Sequence, residues 1–281
     1  MKRLILLLVG FMPLSLFAQF EVGVMVGISN YQGDLSAETI SASLEQTHAA
    51  YGGFLRYNFS NYLTARLSLM SATISGDDAS GGSESRRQRN LSFRNRLFEV
   101  GLTGEFNILG YQPYNLERIF SPYIFAGIAF TSHNPRAFID GDWVELQPLG
   151  TEGQGLSSNP DTELYSKSII SIPFGGGVKY AINDKWNLGL EAGIRYTFTD
   201  YLDDVSTIYP DQVELTAARG ELASQLSNRT GSEITAGSRR GNDSNRDWYF
   251  IGGLTISYNF ADNGLVGSRN RSRRKSGCPT F

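Results

Sequence analysis

The sequence predicts an all-β chain: an eight-stranded antiparallel barrel that crosses a membrane with its strands. Three observations predict it. Apolar and polar residues alternate in eight runs, the runs reach ten or more residues with aromatic ends, and the connectors alternate between short and long. Composition agrees, with 31 glycines and 12% aromatics in 281 residues. A mean hydropathy of -0.23 excludes a bundle of membrane helices, and 41% apolar residues argues against bulk disorder. The formal charge of -3 gives no reason to expect nucleic acid as a partner. A single cysteine excludes a disulfide framework and a Cys-based zinc site within one chain.

Lys2 and Arg3 precede an apolar run, Leu4 to Phe17, that Pro13 breaks and Ala18-Gln19 ends. This is the pattern of a secretory signal peptide over 1–18, with Leu16 three residues before the cut. The alternative, an anchor helix, is too short to span a bilayer. No Cys follows the run, so a lipoprotein is not expected.

Period-two alternation then dominates, as it does in strands with unlike faces. Val22, Val24, Val26 and Ile28 alternate with Glu21, Gly23, Met25 and Gly27. Tyr51, Gly53, Leu55 and Tyr57 oppose Gly52, Phe54 and Arg56, and Leu63, Leu67 and Leu69 oppose Thr64, Arg66 and Ser68. Phe98, Val100, Leu102 and Phe106 oppose Glu99, Thr103 and Glu105. The fifth run, Tyr123 to Phe130, is apolar on both faces and leaves its register open. Ile170, Ile172, Phe174 and Tyr180 oppose Ser171, Gly175, Gly177 and Lys179. Trp186, Leu188, Leu190, Ile194 and Tyr196 oppose Asn187, Glu191 and Arg195. Trp248, Phe250, Leu254, Ile256 and Tyr258 oppose Thr255, Ser257 and Asn259.

A secreted sandwich also alternates, but its strands are usually nearer five or six residues. A tilted strand needs about ten to cross a bilayer, and aromatic pairs such as Tyr57/Phe59 and Tyr258/Phe260 suit interfacial girdles. Short connectors at 60–61 and 183–185, a middling one at 109–119, and long polar ones at about 30–47, 75–94, 132–168 and 200–246 match the two unlike rims of an outer-membrane barrel. Both termini are then expected in the periplasm. Eight strands enclose a narrow lumen that side chains fill. Its expected charges are Glu21, Glu99, Glu105 and Glu191 with Arg56, Arg66, Lys179 and Arg195, four of each sign, which permits a neutral plug rather than a wide pore.

Signals of chemistry are sparse. His48 and His133 fall near strand–loop junctions, where a rim enzyme acting on lipid or peptide could use them, but scattered histidines are more often polar surface. Asp200, Asp203 and Asp204 could hold Ca²⁺, although the spacing is not that of an EF-hand and loop capping is the simpler role. Gly175-Gly176-Gly177 lies within a strand, where it eases curvature or admits a bulky lumen neighbour rather than cradling phosphate. Arg86, Arg87 and Arg89 with Arg94 and Arg96 form a basic segment that faces outward, either toward lipopolysaccharide phosphates or simply into solvent. No catalytic residue and no cofactor is expected.

The barrel ends near residue 260, yet residues 261–281 follow. This tail carries Arg269, Arg271, Arg273, Arg274 and Lys275 against Asp262 alone, and it holds the only cysteine, Cys278. It cannot bury enough surface to fold by itself. A leftover Cys in an oxidising compartment suggests an intermolecular disulfide or a reactive thiol, so the tail reads as a partner-docking segment rather than a passive extension.

Five stretches carry a family resemblance: Gly27 to Leu35, Ser121 to Gly127, Ser171 to Tyr180, Tyr196 to Val205, and Gly277-Cys278-Pro279. The distinctive ones are Asn30-Tyr31-Gln32-Gly33-Asp34-Leu35, Thr199 to Ser206, and the terminal Gly-Cys-Pro. In these the chain resembles the PorG family of outer-membrane barrels from the type IX secretion system. The resemblance implies a non-enzymatic part of a protein-transport and gliding-motility apparatus. It also implies association with a periplasmic ring built from a PorK- or GldK-type lipoprotein and a PorN- or GldN-type partner. The rival reading is a surface adhesin of OmpA/OmpX size working through its long loops.

Overall fold

In the computed structural model residues 20–80, 83–111, 119–183 and 185–260 are described. The expected signal segment 1–18 and the tail 261–281, with its five basic residues and Cys278, lie outside them. Ten strands follow one another: β1 (Phe20–Gln32), β2 (His48–Asn58), β3 (Leu63–Asp77), β4 (Ser92–Asn107), β5 (Phe120–Ser132), β6 (Pro135–Ile139), β7 (Asp142–Glu145), β8 (Ser168–Ala181), β9 (Trp186–Thr197) and β10 (Trp248–Asn259). Each of the eight longer strands pairs antiparallel with its chain neighbours. β1 pairs with β10, and β3 with β4, so the ring is closed. Closure removes every edge from the wall, which a bilayer requires because no water satisfies a free edge there.

The ladder registers fix the shape of the ring. Asn30 lies opposite Phe250, and stepping on through Ile194, Phe174, Ala126, Gly104, Ala65 and Tyr57 returns to β1 at Phe20, ten residues away. With a rise of ~3.3 Å and a strand spacing of ~4.7 Å, that stagger over eight strands tilts them by about 40°.

The alternation resolves into two surfaces. Outside lie Val22, Val24, Val26, Leu67, Leu69, Leu102, Leu190 and Leu254, all exposed. The fifth strand, ambiguous in sequence, turns Ile124, Ile128 and Phe130 outward and buries Tyr123, Phe125 and Thr131. Those inward rings need room. A Cβ on Gly193 would lie 2.6 Å from Phe125 Cζ, and one on Gly177 2.9 Å from the Tyr123 ring. Glycine is therefore required there by close approach.

The connectors 59–62 and 182–185 are short and share a rim with the middling 108–119, and the long ones lie at the opposite rim. The long ones are not the solvated loops that their polarity suggests. Residues 133–167 contain the β6–β7 hairpin, whose two-residue turn Asp140-Gly141 has positive φ at both positions (51° and 94°), the type I′ geometry that suits a hairpin's twist. Four short helices cover the same rim: α1 (Ile40–Glu45), α2 (Glu84–Arg89), α3 (Gln212–Arg219) and α4 (Glu221–Ser227). Thr39, Ser83 and Asp211 cap the first three, Asp211 accepting from Val213 N and Glu214 N at 2.9 and 3.0 Å. Leu35, Leu91, Leu146, Leu202, Val205 and Leu226 bury beneath this layer, in one cluster with Met25, Met70, Ile74, Leu97 and Ile251 of the barrel interior. The long-loop half of the lumen thus holds an apolar cluster that is continuous with a folded cap.

Candidate functional site

The lumen toward the short-turn rim is built from the inward charges. Arg56 donates to Glu21 at 2.7 Å and to Glu105 at 2.9 Å. Lys179 reaches the other oxygen of Glu105 at 2.5 Å, and Arg66 lies 3.3 Å from Glu105. Arg66 also pairs with Glu191, which accepts from the Tyr123 hydroxyl. Aromatic faces complete the lining, with Arg56 4.3 Å above Phe54 and Arg66 4.9 Å from the Phe125 centroid. Nearer the long-loop rim, Arg195 sits 3.5 Å from Glu99, and Tyr249 donates to Glu99 at 2.6 Å. All eight charges are buried, and the six ion pairs link them into a neutral filling. Ions removed from water survive only when so paired, and the pairs lie inside the ring.

The second site is the cap. Glu152, fully buried, accepts from Ser206 N at 2.8 Å, from Thr207 Oγ1 at 2.6 Å and from Arg240 at 3.0 Å. Arg240 also donates to the Asp204 carbonyl at 2.6 Å. The Asp204 carboxylate accepts from Thr151 at 2.5 Å and Tyr165 at 2.6 Å. Deeper, the Tyr31 hydroxyl lies 2.7 Å from both Asp203 and Asp247. Burial and neighbouring carboxylates push both aspartates well above the usual range, Asp34 acting on Asp203 and Asp203 on Asp247. Burial also raises Asp204 to about 6 and Asp200 to about 7. The candidate Ca²⁺ trio does not converge, because Asp203 and Asp204 turn to different hydroxyl partners. Among the described residues no group of three or more His, Cys, Asp or Glu is arranged to hold a metal.

The other expectations divide. His133 is buried, not polar surface. It contacts the Ser166 carbonyl at 2.9 Å, stacks 6.1 Å from Tyr165, and is lowered by burial to about 4. His48 touches Ser75 Oγ at 2.6 Å, but among the described residues no carboxylate orients its ring as a hydrolytic triad requires. The basic segment does not all face outward. Arg86 and Arg89 turn in onto the buried Asp78 at 2.9 and 2.7 Å, because that carboxylate needs countercharge. Arg87 pairs with Glu84 on the surface, and Arg94 and Arg96 remain exposed. Gly175 to Gly177 lie in β8, within the strand as expected. The Tyr31–Asp203, Tyr31–Asp247, Glu152–Tyr201 and Glu152–Arg240 contacts went unseen in the sequence, since the partners are 49 to 216 positions apart. The pairing of Tyr31 with residues of a late loop has no local signal.

The chain belongs to the family described as a domain of unknown function, DUF6089, whose model matches residues 1–226. No curated protein matches it in sequence. Among solved structures it is similar to Neisserial surface protein A, at 9% identity with a TM-score of 0.42, covering 86% of this chain and 97% of that one. It is similar also to the Yersinia pestis attachment invasion locus protein Ail, solved with the heparin analogue sucrose octasulfate (12%, TM-score 0.40, 86% and 97%). The third is the N-terminal β-barrel domain of Pseudomonas aeruginosa OprF (11%, TM-score 0.37, 86% and 98%).

Proposed function

We propose that this chain is a non-enzymatic outer-membrane component of the type IX secretion and gliding machinery, and that its tail, 261–281, anchors or positions a periplasmic ring of the PorK/PorN or GldK/GldN type. One observation carries the reading furthest. Two distinctive stretches of the PorG resemblance, Asn30–Leu35 and Thr199–Ser206, meet in the cap through Tyr31 and Asp203, so the resemblance follows a folded unit rather than generic strand composition. The barrel supports it from the other end. β1 begins and β10 ends at the short-turn rim, with Glu21 opposite Asn259, so the basic, Cys-bearing tail continues from the rim that faces the periplasm in such barrels. A filled lumen suits an anchor better than a porin.

The test is deletion of 261–281 with recovery of the barrel from native membranes under crosslinking. An anchor loses its periplasmic partner on deletion. A non-reducing gel of alkylated membranes, comparing wild type with Cys278→Ala, separates a covalent link from a charge-based one. Unchanged partner recovery from the deleted chain would discard the proposal and favour the adhesin reading, which the ordered surface of the cap supports.

A further inference from the structure

Charged side chains of the eight barrel strands turn inward, except Asp77 at the end of β3 and two arginines of β4, Arg94 and Arg96. These two project from the outer wall at the long-loop rim. Phe98, two residues below Arg96 on the same face, is the last apolar residue of its strand's outer surface. Arg96 therefore stands about 7 Å along the strand beyond the apolar belt, which at a tilt of about 40° is about 5 Å of height above it. The β6–β7 hairpin leans over the same spot and adds Arg136 and Trp143, enclosing with Thr73 a pocket of about 450 Å³. Trp143 lies 5.7 Å from the Arg94 guanidinium and helps to hold it.

The charge there is only partly compensated. Glu145 faces Arg136 at 2.7 Å but is shared with Lys167 at 3.1 Å. Neither Arg94 nor Arg96 has a carboxylate within ion-pair distance among the described residues. Arginine on a wall that contacts hydrocarbon just below it is costly unless an anion meets it, and the planar guanidinium fork matches phosphate oxygens.

We propose that Arg94, Arg96 and Arg136 form a binding site for the phosphate of a membrane lipid headgroup, with Phe98 and Trp143 bordering its acyl and sugar portions. The site is independent of the tail and of the secretion role. It requires only that the barrel stand in a membrane.

The experiment uses the full-length protein in neutral detergent, with native mass spectrometry reading retained diphosphoryl lipid A. The wild type should retain it, and Arg94→Gln with Arg96→Gln should weaken retention roughly tenfold or more. Arg87→Gln, on the cap surface outside the pocket, should change nothing. Equal retention by the double variant overturns the proposal. If that variant fails to show the compact band of a folded barrel, the wild type alone decides: dephosphorylated lipid A retained as well as the diphosphoryl form also overturns it. Displacement of the lipid by millimolar inorganic phosphate would show a free-anion site and reject the lipid assignment.

Discussion

The hydroxyl of Tyr31 lies 2.7 Å from Asp203, joining the end of the first strand to a loop 172 residues later. Asp247 stands at the same distance on the other side. One phenolic proton cannot serve two carboxylates, so a second proton resides on the aspartate pair. This buried triad ties the long loop before β10 to the barrel mouth.

Replacing Tyr31 with Phe removes the shared donor and leaves two buried aspartates facing each other. The cap should lose about 1–3 kcal/mol while the barrel stays closed. Hydrogen exchange would show faster opening across 198–247 with unchanged protection in β3 and β4. Uniform loss across both regions, or none in either, would contradict this division.

The cap should loosen as pH rises. Asp200 and Asp204 are raised to about 7 and about 6, and Asp203 and Asp247 are raised well above the usual range by burial, with Asp34 acting on Asp203 and Asp203 on Asp247. In an unfolded loop these carboxyls release their protons near pH 4. The folded cap keeps them, so their stabilisation is complete below about pH 4 and is lost as pH climbs through 6 and 7. For fully buried Asp204 this is on the order of 3 kcal/mol. His133, lowered to about 4, and His48, lowered by burial, oppose the trend as pH falls below about 6.5, while Asp34, raised by burial, adds to it. Limited proteolysis of the folded protein at pH 5 and pH 8 should cut 198–247 faster at pH 8. Asp204→Asn should flatten the difference, and a cap equally resistant at both values would defeat the assignment.

Glu105 carries more lumen contacts than any other acid, with Arg56, Arg66 and Lys179 around it. Glu105→Gln leaves buried cations without their shared countercharge and should cost about 3–5 kcal/mol. The midpoint of urea unfolding in detergent reads this loss, and adding Lys179→Gln should recover part of it. In planar bilayers the wild type should show no large steady conductance, because the filling occupies the channel.

Gly193 lies where a methyl would meet Phe125 Cζ at 2.6 Å and the Phe174 carbonyl at 2.9 Å. Gly193→Ala should destabilise the barrel by about 1–3 kcal/mol through overpacking. Phe125→Leu in the same chain should return part of that loss, as thermal unfolding of the two variants would show. No recovery would mean that the backbone contact alone sets the cost.

The sequence by itself determined the wall. Period-two alternation over eight runs decides which residues meet lipid and which meet the lumen, and it chose Glu21, Arg56, Arg66, Glu99, Glu105, Lys179, Glu191 and Arg195 as interior because side-chain direction along a strand is a local property. The fifth strand, apolar on both faces, escaped that logic until Tyr123 and Phe125 were seen against Gly177 and Gly193.

Tertiary structure alone decided the long-loop side. Thr39, Ser83 and Asp211 were available as helix caps and Asp140-Gly141 as a hairpin turn, but six- to eight-residue helices leave little periodicity to read. The fates of Asp203, Arg89 and Arg240 depend on partners brought together only when the ring closes. Polar residues that look like solvated loop became the buried network of a cap, because closing the barrel leaves an apolar mouth that something must cover.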